Sequence, residues 1–287
     1  MVIATFMVAL IAVGGAGCLG GDDDNGTETI TMGVSQWTCD IATAEILKLT
    51  YEQAGYEVDM ESGDLGPLYQ ALSDSQFDIG FGWLPVTQGN YWDEYSDDIE
   101  WVGNAINEAK CGLVVPQYVY DAGVTSIYDL ANHTEEFDGE IIGIEAGAGI
   151  MQNTEDKAIP DYNLTDYDLV SGGSASAFAD LQSAYDNDEW AVITGWTPHW
   201  SWARMDLAYL EDPLNAYGEE DHIANLARLG FQDDMPEAYS ILERYNLPLE
   251  ELHSVMLEIE ENEVPEEEAA QNWVDDNQDM VDSWING

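Results

Sequence analysis

The sequence predicts an α/β protein built as two open lobes with a ligand cleft between them. From Thr29 onward short apolar runs alternate with amphipathic stretches, the pattern of βα units. The alternation restarts after Pro116. The part beyond the N-terminal segment, about 260 residues, exceeds what one core usually supports. In open α/β sheets the ligand lies outside the carboxyl ends of the strands, which here means between the lobes.

Ile30–Val34 reads as a first strand and Thr38–Ala54 as an amphipathic helix stopped by Gly55. Tyr56–Met60 follows as a strand. The helix Pro67–Asp74 has its proline near the start, where a missing N–H costs nothing. Phe77–Trp83 is a third strand, and Cys111–Val115 another before the expected crossing at Pro116. In the second half, strands are expected at Ile141–Ile144, Tyr167–Val170 and Ala191–Thr194, and helices at Gln152–Ala158 and Ser176–Asn187. His222–Gly230 is the expected return crossing, and Pro236–Trp284 reads as helical, with Leu249, Leu252, Val255, Met256 and Ile259 on one face. Lobe 1 is thus expected over 29–114 plus 222–287 and lobe 2 over 115–221, with no Pro/Gly linker and no obvious repeat.

The N-terminus carries a different signal. Met1–Ala16 is apolar and uncharged, too short to span a bilayer and of the right length for a signal h-region. The small residues before Cys18 resemble the lipobox of secreted lipoproteins, although Gly15 stands where that pattern has Leu and no basic residue precedes the run. The expectation is a signal and lipobox-like segment over 1–18, lipidation at Cys18, an acidic tether over 19–28, and a lipid-anchored protein on the outer face of the membrane. Cys39 and Cys111 either pair, as an oxidising compartment allows, or remain buried thiols.

Six basic residues face 58 acidic ones, a formal net charge of -52, yet 45% of the chain is hydrophobic and it holds 10 Trp, 15 Tyr and 6 Phe. An acidic disordered tail is poor in aromatics, so the acid is read as the coat of a folded protein. That coat repels itself in dilute buffer, and the repulsion is screened at molar salt, where the Debye length falls to about 3 Å. The balance points to a halophilic setting. It excludes nucleic acid as a partner, because there is no basic stripe to neutralise phosphates.

Chemistry concentrates at the strand ends. Trp37 follows the first strand, Trp83 ends the third, and Trp196 follows the last strand of the second half. Three indoles so placed can box a quaternary ammonium by cation–π attraction, each contact being worth about 0.5–2 kcal/mol; a single such Trp is commonly just core. Trp200 is the next indole to add. Within Gly195-Trp196-Thr197-Pro198-His199-Trp200, His199 either donates to a ligand carboxylate, which a neutral imidazole can do, or merely fixes the turn. Gly147-Ala148-Gly149-Ile150 lies between a strand and a helix, where converging N–H groups suit an anion; the same glycines also suit a plain βα turn. A box facing an anion nest fits a small zwitterion such as a betaine. An enzyme acting on such a compound is the weaker alternative: Asp40 and Asp64 sit at strand ends without a local nucleophile–base pair, and there is no Gly-x-Ser-x-Gly elbow or phosphate-cradling loop. No Cys-x-x-Cys or clustered His suggests a metal, and no cofactor is expected.

These residues resemble the substrate-binding proteins of glycine betaine/proline (quaternary amine) ABC transporters, in a haloarchaeal-type form. The resemblance runs through Ile30-Thr31-Met32-Gly33 with Trp37, Asp64–Leu72, Trp83-Leu84-Pro85-Val86-Thr87, Gly143–Met151, Gly195–Trp200, Leu210-Glu211-Asp212-Pro213 and His222–Tyr239. It implies a type II periplasmic-binding-protein-like fold that closes over its ligand. It also implies an aromatic cage for the trimethylammonium, with main-chain N–H groups and often a His for the carboxylate. Trp196 and His199 match the family's motif directly, Trp83 matches in its own segment, and Trp37 is carried over by its place after the first strand; Tyr69 and Tyr91 are the reserve cage members. The implied function is extracytoplasmic binding of glycine betaine, or of choline, carnitine or proline betaine, by a monomer that delivers it to a membrane permease.

Overall fold

The computed structural model describes residues 27–218 and 220–287. The expected signal segment, Cys18 and most of the tether lie outside the described residues.

Among the described residues nine strands form the frame: β1 Thr29–Val34, β2 Glu57–Ser62, β3 Ile79–Leu84, β4 Ile99–Pro116, β5 Glu140–Ile142, β6 Asp168–Val170, β7 Ile193–Thr197, β8 Leu207–Tyr209 and β9 Asp221–Arg228. The first half adds helices α1 Thr38–Ala54, α2 Leu65–Ser73, α3 Gly89–Tyr95, α4 Gln117–Asp121 and α5 Ile127–Leu130. Next come α6 Gly149–Asn153, which runs through a π turn at Thr154–Ala158 into α7 Ile159–Asp161, then α8 Ser174–Asp186 and α9 Ser201–Arg204. The C-terminal run is α10 Phe231–Asp234, α11 Pro236–Arg244, α12 Leu249–Asn262, α13 Glu266–Asp276 and α14 Gln278–Asn286.

Strand order is β2-β1-β3-β9-β4-β7-β5-β6, with β8 also on β4. Lobe 1 holds the parallel set β2, β1 and β3 with antiparallel β9. Lobe 2 holds the parallel set β6, β5 and β7 with antiparallel β4. The frame is the periplasmic-binding-protein-like arrangement of two α/β lobes flanking a cleft.

Helix α1 has the expected bounds. Its end is set by Gly55 at φ 99, whose N–H bonds back to Glu52 O while the next amide reaches Tyr51 O; only glycine takes this left-handed turn without penalty. Ile46, Leu47 and Tyr51 are fully buried between the β1 sheet and the C-terminal helices α12 to α14. The C-terminal run therefore caps lobe 1.

The structure departs from expectation at β4, which starts at Ile99 and not at Cys111. Glu100, Asn104, Asn107 and Glu108 give its first half a polar composition, but pairing with β9 from Ile99↔Arg228 to Ala109↔Asp221 holds it extended through three register irregularities. This is tertiary context overriding local preference. From Lys110 the partner becomes β7, Lys110↔Thr197 to Val114↔Ile193. The first crossing between lobes therefore falls between Ala109 and Lys110, ahead of the boundary expected at 114. The return strand β9 starts at Asp221.

Two further shifts bear on the site. Strand β7 runs on to Thr197, so Trp196 lies in the strand opposite Cys111 and not in the loop after it. The helical run expected from Gln152 begins at Gly149, which puts Gly149 and Ile150 in its first turn.

Candidate functional site

The strand ends of both lobes meet at the cleft floor. Trp37 is the N-cap residue of α1, Trp83 is next to last in β3, and Trp196 is next to last in β7. Their rings close on one another: Trp37 stands edge-on to Trp83 with centroids 6.4 Å apart, and tilts 48° from Trp196 at 6.0 Å. All three are buried. With Thr87, Cys111, Ile144 and Ile150 they line a small cavity of ≈ 10 Å³ that, among the described residues, no basic side chain enters. Trp37 also lines the wider cleft mouth, shared with Asp64, Tyr91, Glu145 and Gly147. The indole cavity is the inner end of the cleft.

Carboxylates hold two of the three indoles. Trp83 Nε1 donates to Asp40 Oδ1 at 3.1 Å, and Trp37 Nε1 donates across the cleft to Glu145 Oε1 at 2.5 Å. Asp40 is buried; its other oxygen accepts from Ser35 Oγ at 2.6 Å, and the Cys39 thiol donates to Oδ1 at 3.7 Å. Burial raises the Asp40 pKa, opposed by the hydrogen bonds from Ser35, Trp83 and Cys39. Trp196 Nε1, by contrast, is buried without a hydrogen-bond partner, although it lies close enough to the Cys39 thiol to bear on its pKa. Cys39 and Cys111 are free, and burial pushes both thiols up.

The lobes are closed on each other. Tyr91 Oη donates to Gly147 O at 3.0 Å, Asn90 Nδ2 to Gln152 Oε1 at 2.6 Å, and an Arg204 guanidinium N–H to Glu260 O at 2.8 Å. The tightest approach is at Gly149, where a Cβ would lie 1.8 Å from the carbonyl oxygen of Thr87. Beside it, the amides of Ala148 and Met151 are engaged by Glu145 O and Ala148 O. Those of Gly149 and Ile150 have no acceptor among the described residues, as befits the first turn of a helix.

His199 lies behind Trp196 and does not line the cavity. It stacks on Phe178 at 3.8 Å and meets Trp196 edge-on at 4.8 Å. Ser201 N–H donates to its Nδ1 at 3.2 Å, so the ring proton sits on Nε2. Burial holds its pKa down to about 3, and the ring is neutral.

The structure thus brings together Trp37, Trp83, Trp196 and the Gly147–Ile150 turn, and sets His199 one layer back. Trp200 packs on His199 and Arg204, away from the cavity. Tyr69 is buried beneath Tyr91, stacked at 5.0 Å, and only Tyr91 reaches the cleft mouth. Thr87, Cys111 and Ile144 line the cavity without having been singled out in the sequence. Glu145 was visible there only as one letter of a Gly-rich segment, and Asp40 only as one of two acids at strand ends without a catalytic partner.

Fold and site together define a protein of two α/β lobes with a cleft whose inner end is lined by three indoles. Residues 28–276 match the family model described as the substrate binding domain of an ABC-type glycine betaine transport system, and the chain belongs to that family. That family is one of substrate-binding domains and not of catalysts. The chain is 40% identical over 155 residues to the glycine betaine/carnitine transport binding protein GbuC of Listeria monocytogenes, covering 53% of this chain and 51% of that protein. It therefore spans about half the length of that curated relative. Among solved structures it is similar to lactococcal OpuAC in its closed-liganded conformation complexed with glycine betaine, at 34% identity and TM-score 0.85, covering 90% of this chain and 100% of that one. It is also similar to the glycine/betaine/L-proline-binding protein ProX of Borrelia burgdorferi, at 27% identity and TM-score 0.86, covering 90% and 97%.

Proposed function

We propose that the protein binds glycine betaine, or a closely related quaternary amine, outside the cytoplasmic membrane and delivers it to an ABC permease. The observation that carries this reading is the cavity closed by three indoles from both lobes, with a carboxylate behind Trp83 and no basic side chain within it. A trimethylammonium has no N–H to donate, so aromatic faces and methyl contacts must hold it. The free amides of Gly149 and Ile150 stand at the cavity wall formed by Ile150, where a ligand carboxylate finds donors. His199, one layer behind Trp196, either gives its Nε2–H to the same end of the ligand when the cleft is occupied or merely fixes the turn.

Titration of the purified protein in molar salt with glycine betaine, choline, carnitine and proline betaine, followed by Trp fluorescence or heat, tests the reading. Micromolar binding of at least one is expected, and no binding of any at millimolar concentration overturns it. His199→Ala should weaken glycine betaine more than choline, which has no carboxylate; equal losses would assign the ring to positioning the loop. The charge of -52 supports a halophilic, haloarchaeal-type source. The sequence around Cys18 supports lipid anchoring, which mass spectrometry of the native membrane-extracted protein checks. A monomer is expected in light scattering at working salt.

A further inference from the structure

The indole N–H groups of Trp37 and Trp83 both end on carboxylates, Glu145 and Asp40. An indole has one donor, and a backbone carbonyl would satisfy it, as Trp196 O does for Trp202 Nε1. We propose that Asp40 and Glu145 are positioning and specificity residues that charge the cage through its rings, making it select a formal positive charge over a neutral group of the same shape. The inference rests on the quaternary-amine reading above.

A carboxylate on the N–H edge pushes electron density toward the ring face that meets the cation, which strengthens the ring's negative quadrupole. The full charge also lies one indole away from the cavity, in a buried setting where screening is weak. Neither acid competes with the ligand for space, since neither lines the indole cavity. Every contact of Asp40 arrives from a donor, the Ser35 hydroxyl, the Trp83 indole and the Cys39 thiol, so the ionised form satisfies all of them. The two acids differ in timing. Asp40 and Trp83 belong to the same lobe, so that contact is kept whether the lobes are open or closed. Glu145 reaches Trp37 from the other lobe, so the second charge arrives only on closure and holds the closed state.

The probes are glycine betaine and 3,3-dimethylbutanoate, its neutral-headed carbon isostere with the same carboxylate. In Asp40→Asn and Glu145→Gln the acceptor for the indole N–H is kept and the charge removed. Each variant should bind glycine betaine about tenfold or more weakly while changing the isostere by less than about threefold. For Glu145→Gln the loss should appear chiefly in the dissociation rate. Equal losses for both ligands would show a purely structural role and overturn the proposal, as would no loss for either. Glu145→Gln lies at the cleft mouth, outside the core, and keeps the test available should Asp40→Asn fail to fold. Failure of the wild-type protein to bind any quaternary amine would instead sink the functional reading itself.

Discussion

Lobe 1 runs β2-β1-β3-β9 and lobe 2 runs β6-β5-β7-β4, each with three parallel strands and a fourth antiparallel one. The parallel strands that border the antiparallel one end alike. β3 closes on Gly82-Trp83-Leu84-Pro85 and β7 on Gly195-Trp196-Thr197-Pro198, each with a cis X-Pro peptide. Both glycines allow a close approach: a Cβ would meet Tyr69 Oη at 2.5 Å in one lobe and a Val114 methyl at 2.6 Å in the other. The loops after β1 and β5 diverge, the first delivering Trp37 and the second the Gly147–Ile150 turn with its free amides. One topology, used twice, thus offers aromatic faces from both halves and hydrogen-bond donors from one. Such a division suits a ligand with a cationic head and an anionic tail.

The largest effect should come from the point where the lobes touch. Gly149→Ala places a methyl against the Thr87 carbonyl and should hold the lobes apart, weakening ligand binding about 100-fold, or about 3 kcal/mol. Its melting temperature without ligand should stay near wild type, since each lobe keeps its own core. Wild-type affinity in this variant would show that binding does not require the approach seen at Gly149.

The matched tryptophans give a sharper contrast. Trp83→Phe strands the buried Asp40 without its indole donor and should cost about 2 kcal/mol of stability. Trp196→Phe removes an N–H that has no partner and should cost less than about 1 kcal/mol. Denaturant melts of the two variants measure the difference; equal losses would mean that Asp40 gains nothing from Trp83.

His199 makes lobe 2 sensitive to acid, and in lobe 1 burial lowers the His253 pKa in the same direction. The folded His199 ring resists protonation down to about 3, whereas the unfolded ring takes a proton near its ordinary value. Its contribution is complete above pH about 6.5 and is lost as pH falls below that value. From about pH 6.5 to about pH 5 the loss through this ring should be about 2 kcal/mol. Comparing the pH–stability slopes of wild type and His199→Gln isolates the ring from the many carboxylates, and parallel slopes would count against it.

The smallest effect should be that of salt on affinity. Between about 0.2 M and about 3 M KCl the melting temperature should rise as the acidic coat is screened. Binding among folded molecules should change less than about threefold, because the indole cavity is buried. A flat melting temperature would remove the case for halophilic adaptation.

The legible parts of the fold were those where a local signal agreed with the tertiary one. Helix α1 had a long apolar pattern and a glycine stop, and Trp37, Trp83 and Trp196 each stood close to the end of an apolar run. The first half of β4 was hidden because its residues are polar and only β9 keeps them extended. The Gly-Trp-x-Pro pair was too short to register as a repeat, although it marks equivalent corners of the two lobes. Asp40 was legible only as an acid at a strand end, and Glu145 only within a Gly-rich segment: among 58 acids, composition cannot separate the two that bond the indoles of Trp83 and Trp37 from those that coat the surface. Only the distances to Trp83 and Trp37 do so.

Strand β9 lies between β3 and β4, although its residues follow the whole of lobe 2 in the chain. As the polypeptide leaves the ribosome or the translocon, lobe 1 cannot zip its sheet until residues beyond Asp221 have appeared. Until then β3 and the first half of β4 present open hydrogen-bonding edges, the kind that recruit other chains. Lobe 2 has every strand it needs by Tyr209 and can mature first. A chain cut short before β9 would therefore carry a finished second lobe beside a first one with two unsatisfied edges, and aggregation is the outcome its geometry favours.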